Sequence, residues 1–218
     1  MSEFSFWDIF SNLVLAARWT IVLSLVAFVG GAVVAVALLL AKLSSQRWIR
    51  LLVDTWIKLL QGSPLLILLF MGFFGLPLLG VHVTAWMAAV VILIAYTSAF
   101  LADIWHGSIV AISRGQWAAA ASLGLTTRQQ FISVIMPQAA RIATPPTVGF
   151  LVQVVKNTSL TSIIGFVELS RTGAMLNNVT FEPFPIYMSV AVIYFVICFP
   201  MTYSSRILER HLAKGSAH

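Results

Sequence analysis

Few residues in this chain have the types and spacing that chemistry needs. Asp103 and His106 stand three apart, which on a helix puts both on one face, and Ser98 or Ser108 would be the hydroxyl that such a pair activates. That grouping has the composition of an intramembrane hydrolase. Against it, no G-x-S-x-G or H-E-x-x-H pattern occurs, and a polar cluster at a helix end accounts for the same residues. A second group, Lys156-Asn157-Thr158-Ser159, interrupts an apolar stretch and offers donors and acceptors to a small zwitterion. Polar groups at membrane depth are costly and usually functional. The competing reading is that Thr158 and Ser159 bond to their own helix backbone and that Lys156 snorkels to an interface. Cys198 is the one cysteine, so an intrachain disulfide and a cysteine metal cluster are both excluded, and it reads as a packing residue. No catalytic residue and no metal ligand set is assigned.

These residues sit in a chain whose solvent is lipid. Of 218 residues, 60% are hydrophobic and 9% charged, with a mean hydropathy of +0.96, whereas globular proteins carry about 25% charged residues. A soluble enzyme or a disordered regulator is therefore excluded by composition. The formal charge of +6 is explained by the retention of basic loops in the cytoplasm, without nucleic acid as a partner. Glu3 and Asp8 precede the first apolar run, which is also too long for a signal-peptide core, so that run is expected to stay as a membrane helix.

An all-α, polytopic membrane protein of about five transmembrane helices follows, in a single domain over 1–218. Crossing the hydrocarbon takes about 20 apolar residues. The expected spans are Trp19 to Ala41, roughly 52 to 76, roughly 84 to 106, roughly 142 to 166, and Pro183 to Ser205, with a turn at 75–82 where Gly75, Pro77 and Gly80 punctuate the sequence. Lys42, Arg47, Arg50, Arg114, Arg128, Arg141, Arg206, Arg210 and Lys214 then share one side, while Arg18 and Arg171 fall on the other, accompanied by Glu3, Asp8, Glu168 and Glu182. This places the N-terminus outside and the C-terminus inside. Trp7, Trp19, Trp48, Trp56 and Trp86 lie near span ends, as in an interfacial belt touching membrane lipid.

The longest polar interval, about 113–141, holds the most specific pattern. Ala118 to Ser122 favours helix, Gly124 can cap it, and Thr126 or Thr127 can start a further turn before Pro137. Gln116-Trp117-Ala118-Ala119-Ala120, Gly124 and Ile135-Met136-Pro137-Gln138-Ala139 resemble the cytoplasmic coupling loop of ABC-transporter permease subunits, with Ala118 where that family usually has Glu. Gln61-Gly62-Ser63-Pro64-Leu65-Leu66, Ala99-Phe100-Leu101-Ala102-Asp103-Ile104-Trp105-His106-Gly107 and Lys156-Asn157-Thr158-Ser159-Leu160 are similar to stretches of the polar amino-acid uptake branch, and the likeness runs over roughly 14–212.

The resemblance implies a type I ABC importer permease fold in the bacterial inner membrane. Two permease chains, alike or different, would enclose a path that works by alternating access. A separate ATP-binding subunit dimer would hold ATP and Mg, since this chain has no G-x-x-x-x-G-K-[ST] loop and carries no cofactor of its own. An extracytoplasmic binding protein would deliver substrate. Gly115, Gln116, Trp117, Ala118, Ala119, Ala120, Gly124 and Pro137 would make the ATPase contact. Phe150, Asn157, Thr158, Ser159 and Ser98 would line the substrate path. In members that carry cationic amino acids a Glu and an Asp seven residues apart match Phe150 and Asn157, so a neutral or acidic substrate is expected. An ATP-independent facilitator is the remaining alternative.

Overall fold

The computed structural model describes residues 5–215, and every regular element among them is helical. Glu3, assigned above to the outer side, lies outside the described residues. The first helix, α1 (Phe6–Lys42), begins well before the expected Trp19 because Ser5 and Asp8 form a capping box at its start. Its buried face is a run of mostly small side chains, including Thr20, Ser24, Ala27, Gly31 and Ala35. That run admits α5 (Ala85–Val110) at very short range: a Cβ on Gly31 would stand 2.5 Å from Thr97 Cγ2, and one on Gly30 2.6 Å from Ile94 Cδ1. Without a hydrophobic force between helices in lipid, this kind of backbone approach is what holds spans together.

The second expected span is not one straight helix. An amphipathic α2 (Arg47–Gly62) and a short apolar α3 (Leu65–Phe70) meet at Ser63-Pro64, and the axis from α2 to the segment ending at Leu78 bends by 102°. Pro64 pushes Ser63 into extended backbone (φ −101°, ψ 136°), which ends the first helix. The expected turn at 75–82 also shifts. A π-helical stretch, Met71–Gly75, and α4 (Leu76–Leu78) carry the helix past Gly75 and Pro77, and the chain reverses at Gly80, φ +81°.

After α5 come α6 (Arg114–Ser122) and α7 (Thr127–Gln129). A π-helical turn, Gln130–Ile135, leads from α7 into α8 (Met136–Asn157), so helix runs without a break through Pro137. Pro137 does not stop it because it follows directly on the π-helical turn, where the regular i→i−4 ladder is already interrupted. The fourth expected span is thus shifted: its helix starts inside the polar interval and ends at Asn157, continued by a 3₁₀ turn, Thr158–Ser162. Pro145 and Pro146 lie inside α8. Cross-helix bonds gather there, with Ser205 Oγ donating to the Pro145 carbonyl at 2.8 Å and Trp105 Nε1 to Thr147 Oγ1 at 3.0 Å.

Two helices complete the chain, α9 (Leu169–Thr180) and α10 (Pro183–Gly215), and α8 packs between α5 and α10. By length and apolarity α1, α5 and α10 can each cross a membrane, and the bent pair makes a fourth candidate.

Candidate functional site

Phe150, Gln153 and Asn157 follow one another at helical spacing along one stripe of α8. The Phe150 ring stacks on Phe100 of α5, with centroids 5.1 Å apart and planes 13° off parallel, and Tyr96 extends the ledge at 4.7 Å from Phe100. Gln153 Nε2 donates to Asn157 Oδ1 at 3.0 Å. The amide N–H groups of Asn157 and the carbonyl of Gln153 are left over, a donor and an acceptor beside an aromatic surface. This matches the polar and apolar requirements of a small amphipathic solute.

Of the predicted path residues, Phe150 and Asn157 come together here. Thr158 and Ser159 follow directly, but their hydroxyls donate to the Val155 and Lys156 carbonyls, each at 2.7 Å. Ser98 is elsewhere: it is fully buried and donates to the Ala95 carbonyl at 2.7 Å, on the part of α5 that approaches Gly31. Ser108 likewise donates to Ile104, at 2.8 Å. Asp103 is held by Lys42 at 3.3 Å, and the same ammonium reaches Asp54 at 3.2 Å, tying α1, α2 and α5. The serines and Asp103 are therefore committed to structural bonds. A separate cavity of about 410 Å³ opens between α1, α5 and α8. Its wall is mostly apolar, with Leu40, Ile109, Phe131 and Ala143 among the lining residues, and its few polar groups, Trp105, Thr144 and Thr147, already bond within the fold, so it offers a zwitterion little to bind.

The second feature is α6. Its C-terminus is closed by paired bonds, Gly124 N–H to the Ala121 carbonyl (3.0 Å) and Leu125 N–H to the Ala120 carbonyl (3.4 Å), with Gly124 at φ +73°. This is the left-handed closure that glycine makes without strain. Thr126 and Gln129 then form a capping box for α7. Trp117 and Ala120 seat α6 on the fold, Trp117 packing against Ile112, Ile135 and Ala139. Gly115, Gln116, Ala118 and Ala119 are exposed, and Gln138 Nε2 donates to Gln116 Oε1 at 3.3 Å. The result is a rigidly mounted helix whose outer face is nearly free of side-chain bulk.

Two residues escaped the sequence reading. Gln153 was hidden by its apolar neighbours, although its place midway between Phe150 and Asn157 on the helical repeat is visible in the sequence. Glu168, expected on the outer side with Asp8 and Glu182, is completely buried. It caps α9 by accepting from the Arg171 N–H at 2.9 Å, and it also accepts from Tyr194 of α10 at 2.9 Å and Thr20 of α1 at 3.2 Å. Burial raises its pKa above the ordinary carboxylate range, and these hydrogen bonds oppose the rise without cancelling it.

Residues 33–214 match the model of the binding-protein-dependent transport system inner membrane component family. The chain belongs to this family. Among its relatives are the L-cystine transport system permease protein TcyB of Bacillus subtilis, 31% identical over 95% of this chain and 88% of that protein, and the probable glutamine ABC transporter permease protein GlnM of the same organism, 31% identical over 90% and 91%. A crystal structure of an amino acid ABC transporter with histidines superimposes with a TM-score of 0.88 at 30% identity, covering 92% of this chain and 94% of that one. The permease is a multi-pass inner-membrane transport subunit and not an enzyme, and the hydrolase reading of Ser98, Ser108 and His106 falls with that finding.

Proposed function

We propose that this permease carries polar amino acids, neutral or acidic rather than cationic, through a path lined by Phe150, Gln153 and Asn157. The observation that carries this reading is the uncharged stripe itself: its polar groups are amides, Gln153 exposed and Asn157 buried beside it, able to bond a zwitterion but unable to neutralise a cationic side chain. Relatives named for cystine and glutamine transport agree with a polar substrate class. Thr158 and Ser159 follow directly in the chain but off this stripe, Thr158 fully buried and Ser159 partly exposed with a hydroxyl oxygen that can still accept a bond. Ser98, predicted for the same path, is not retained.

In this reading α6 docks on an ATP-binding subunit, two such subunits hold ATP and Mg, and their closure rocks paired permease chains between inward-open and outward-open states. The second permease is either a copy of this chain or a similar one, and a binding protein supplies substrate from outside. The N-terminus faces outward and five segments cross, the uncharged stretch that follows the Pro64 bend and the Pro-containing α8 among them. Docking rests on shape at Ala118, where a methyl group stands in place of the family's carboxylate.

The test is the reconstituted complex with its ATPase and binding protein. Substrate-stimulated ATP hydrolysis is expected, reduced at least tenfold by Gly124→Val, which forces a β-branched residue into left-handed backbone at a cost of about 1–2 kcal/mol. Glutamine or glutamate should compete for uptake where arginine does not. Dominant competition by arginine would overturn the substrate class, and uptake without nucleotide would favour a facilitator.

A further inference from the structure

The exposed surface of α2 carries more than its own fold uses. Val53, Ile57 and Leu60 turn inward against the group that includes Ala99, Leu101 and Ala102 of α5. A second apolar stripe, Trp48, Leu52, Trp56 and Leu59, is exposed. The third side holds Arg47, Arg50 and Lys58, all exposed and none in an ion pair among the described residues, while Asp54 on that side is neutralised by Lys42.

The placement of these charges fixes how α2 lies. From Arg47 to Lys58 is about 16 Å along a helix at 1.5 Å per residue. A helix standing along the membrane normal would carry one of its exposed cations that far from the other and into hydrocarbon, at a cost of about 2.5–3.5 kcal/mol. The 102° bend at Ser63-Pro64 removes the conflict, because the uncharged leg Leu65–Leu78 can enter the bilayer while α2 runs close to its surface. Basic residues on one side with Trp and Leu on the other is the arrangement of an interfacial helix.

We propose that α2 is a binding site for anionic phospholipid, with Arg47, Arg50 and Lys58 meeting headgroup phosphates and the Trp48–Leu59 stripe set among the upper acyl carbons. Charge complementarity selects this occupant: three unpaired cations on one side of a membrane-bound helix attract acidic headgroups by about 1 kcal/mol each. A second permease chain would have to supply matching acids for that side. The site lies beside the Lys42–Asp54–Asp103 tie, so lipid bound to α2 bears on the cytoplasmic end of α5, which runs directly into α6.

The experiment uses the full chain in phosphatidylcholine vesicles containing a minor fraction of brominated phosphatidylglycerol or, in parallel, brominated phosphatidylcholine. Tryptophan quenching by the acidic lipid is expected to exceed that by the neutral one, and the excess should vanish in W48F/W56F. Each substitution among R47Q, R50Q and K58Q should weaken the preference about fivefold. The double variant R47K/R50K, which keeps the charge, should retain it. Equal quenching by both lipids in the unaltered chain would overturn the proposal. So would disulfide cross-linking of L52C between two copies together with protection from quenching, since that would mean a second chain covers the face. Loss of preference in R47K/R50K with an unchanged circular dichroism spectrum would also count against it, because the attraction would then not be one of charge.

Discussion

Glu168 joins three helices through one carboxylate, and its chemistry is set by the absence of water around it. Replacing it with Ala leaves the Tyr194 hydroxyl, the Thr20 hydroxyl and the Arg171 N–H short of an acceptor. Buried groups so orphaned cost about 1–3 kcal/mol each, and because Tyr194 can re-pair with Ser170 Oγ at 3.0 Å, a net loss of about 2 kcal/mol is expected for E168A in thermal unfolding in detergent. The pH dependence has a definite sign. With its folded pKa above the ordinary 4.5, the carboxyl favours the fold when protonated, so its contribution is full below the ordinary value and is lost as pH rises through the raised one. The melting temperature of the unaltered chain minus that of E168Q should therefore fall as pH rises from about 4, then level off. A difference that grows with pH would mean that the buried group prefers to be ionised.

The pairing of α1 with α5 depends on what is missing at Gly30 and Gly31. A Val side chain at Gly31 has to displace Thr97, and overpacking of this kind costs about 1–3 kcal/mol. Gly31→Val should lower the melting temperature clearly. Gly107→Ala, on the same α5 but with open space where its Cβ would stand, should be neutral or stabilising by up to about 1 kcal/mol through helix propensity. Equal effects at the two positions would show that close helix approach is not what stabilises the pair. The bend at Pro64 acts differently: it divides a stretch expected as one span into a charged amphipathic helix and an uncharged leg.

Taken as a whole, the chain places basic residues at or after the ends of its three longest apolar helices: Lys42 and Arg47 for α1, Arg114 after α5, and Arg206 and Arg210 in the last turns of α10. The expected orientation can be read by labelling. In a C198S background, a membrane-impermeant maleimide should reach N178C, on exposed α9, in intact cells, and S122C, on exposed α6, only after permeabilisation. The reverse pattern would invert the topology.

What the sequence settled by itself is local. Composition identified lipid as the solvent. The closure of α6 at Gly124 and the capping of α7 by Thr126 were legible because the bonds that make them join residues within five positions of each other. The common stripe of Phe150 and Asn157 follows from helical spacing alone. Tertiary structure decided the rest. Ser98 is buried because α1 presents Gly31 to its part of α5, and Glu168 becomes a buried junction because Thr20, 148 residues away, and Tyr194 converge on it. Even Pro137 and Pro64, alike in the sequence, part company: one follows a π-helical turn within a continuing helix, and the other bends the chain by about a right angle. The cost of an unpaired polar group or a missing N–H depends on what surrounds it, and only the packed fold supplies those surroundings.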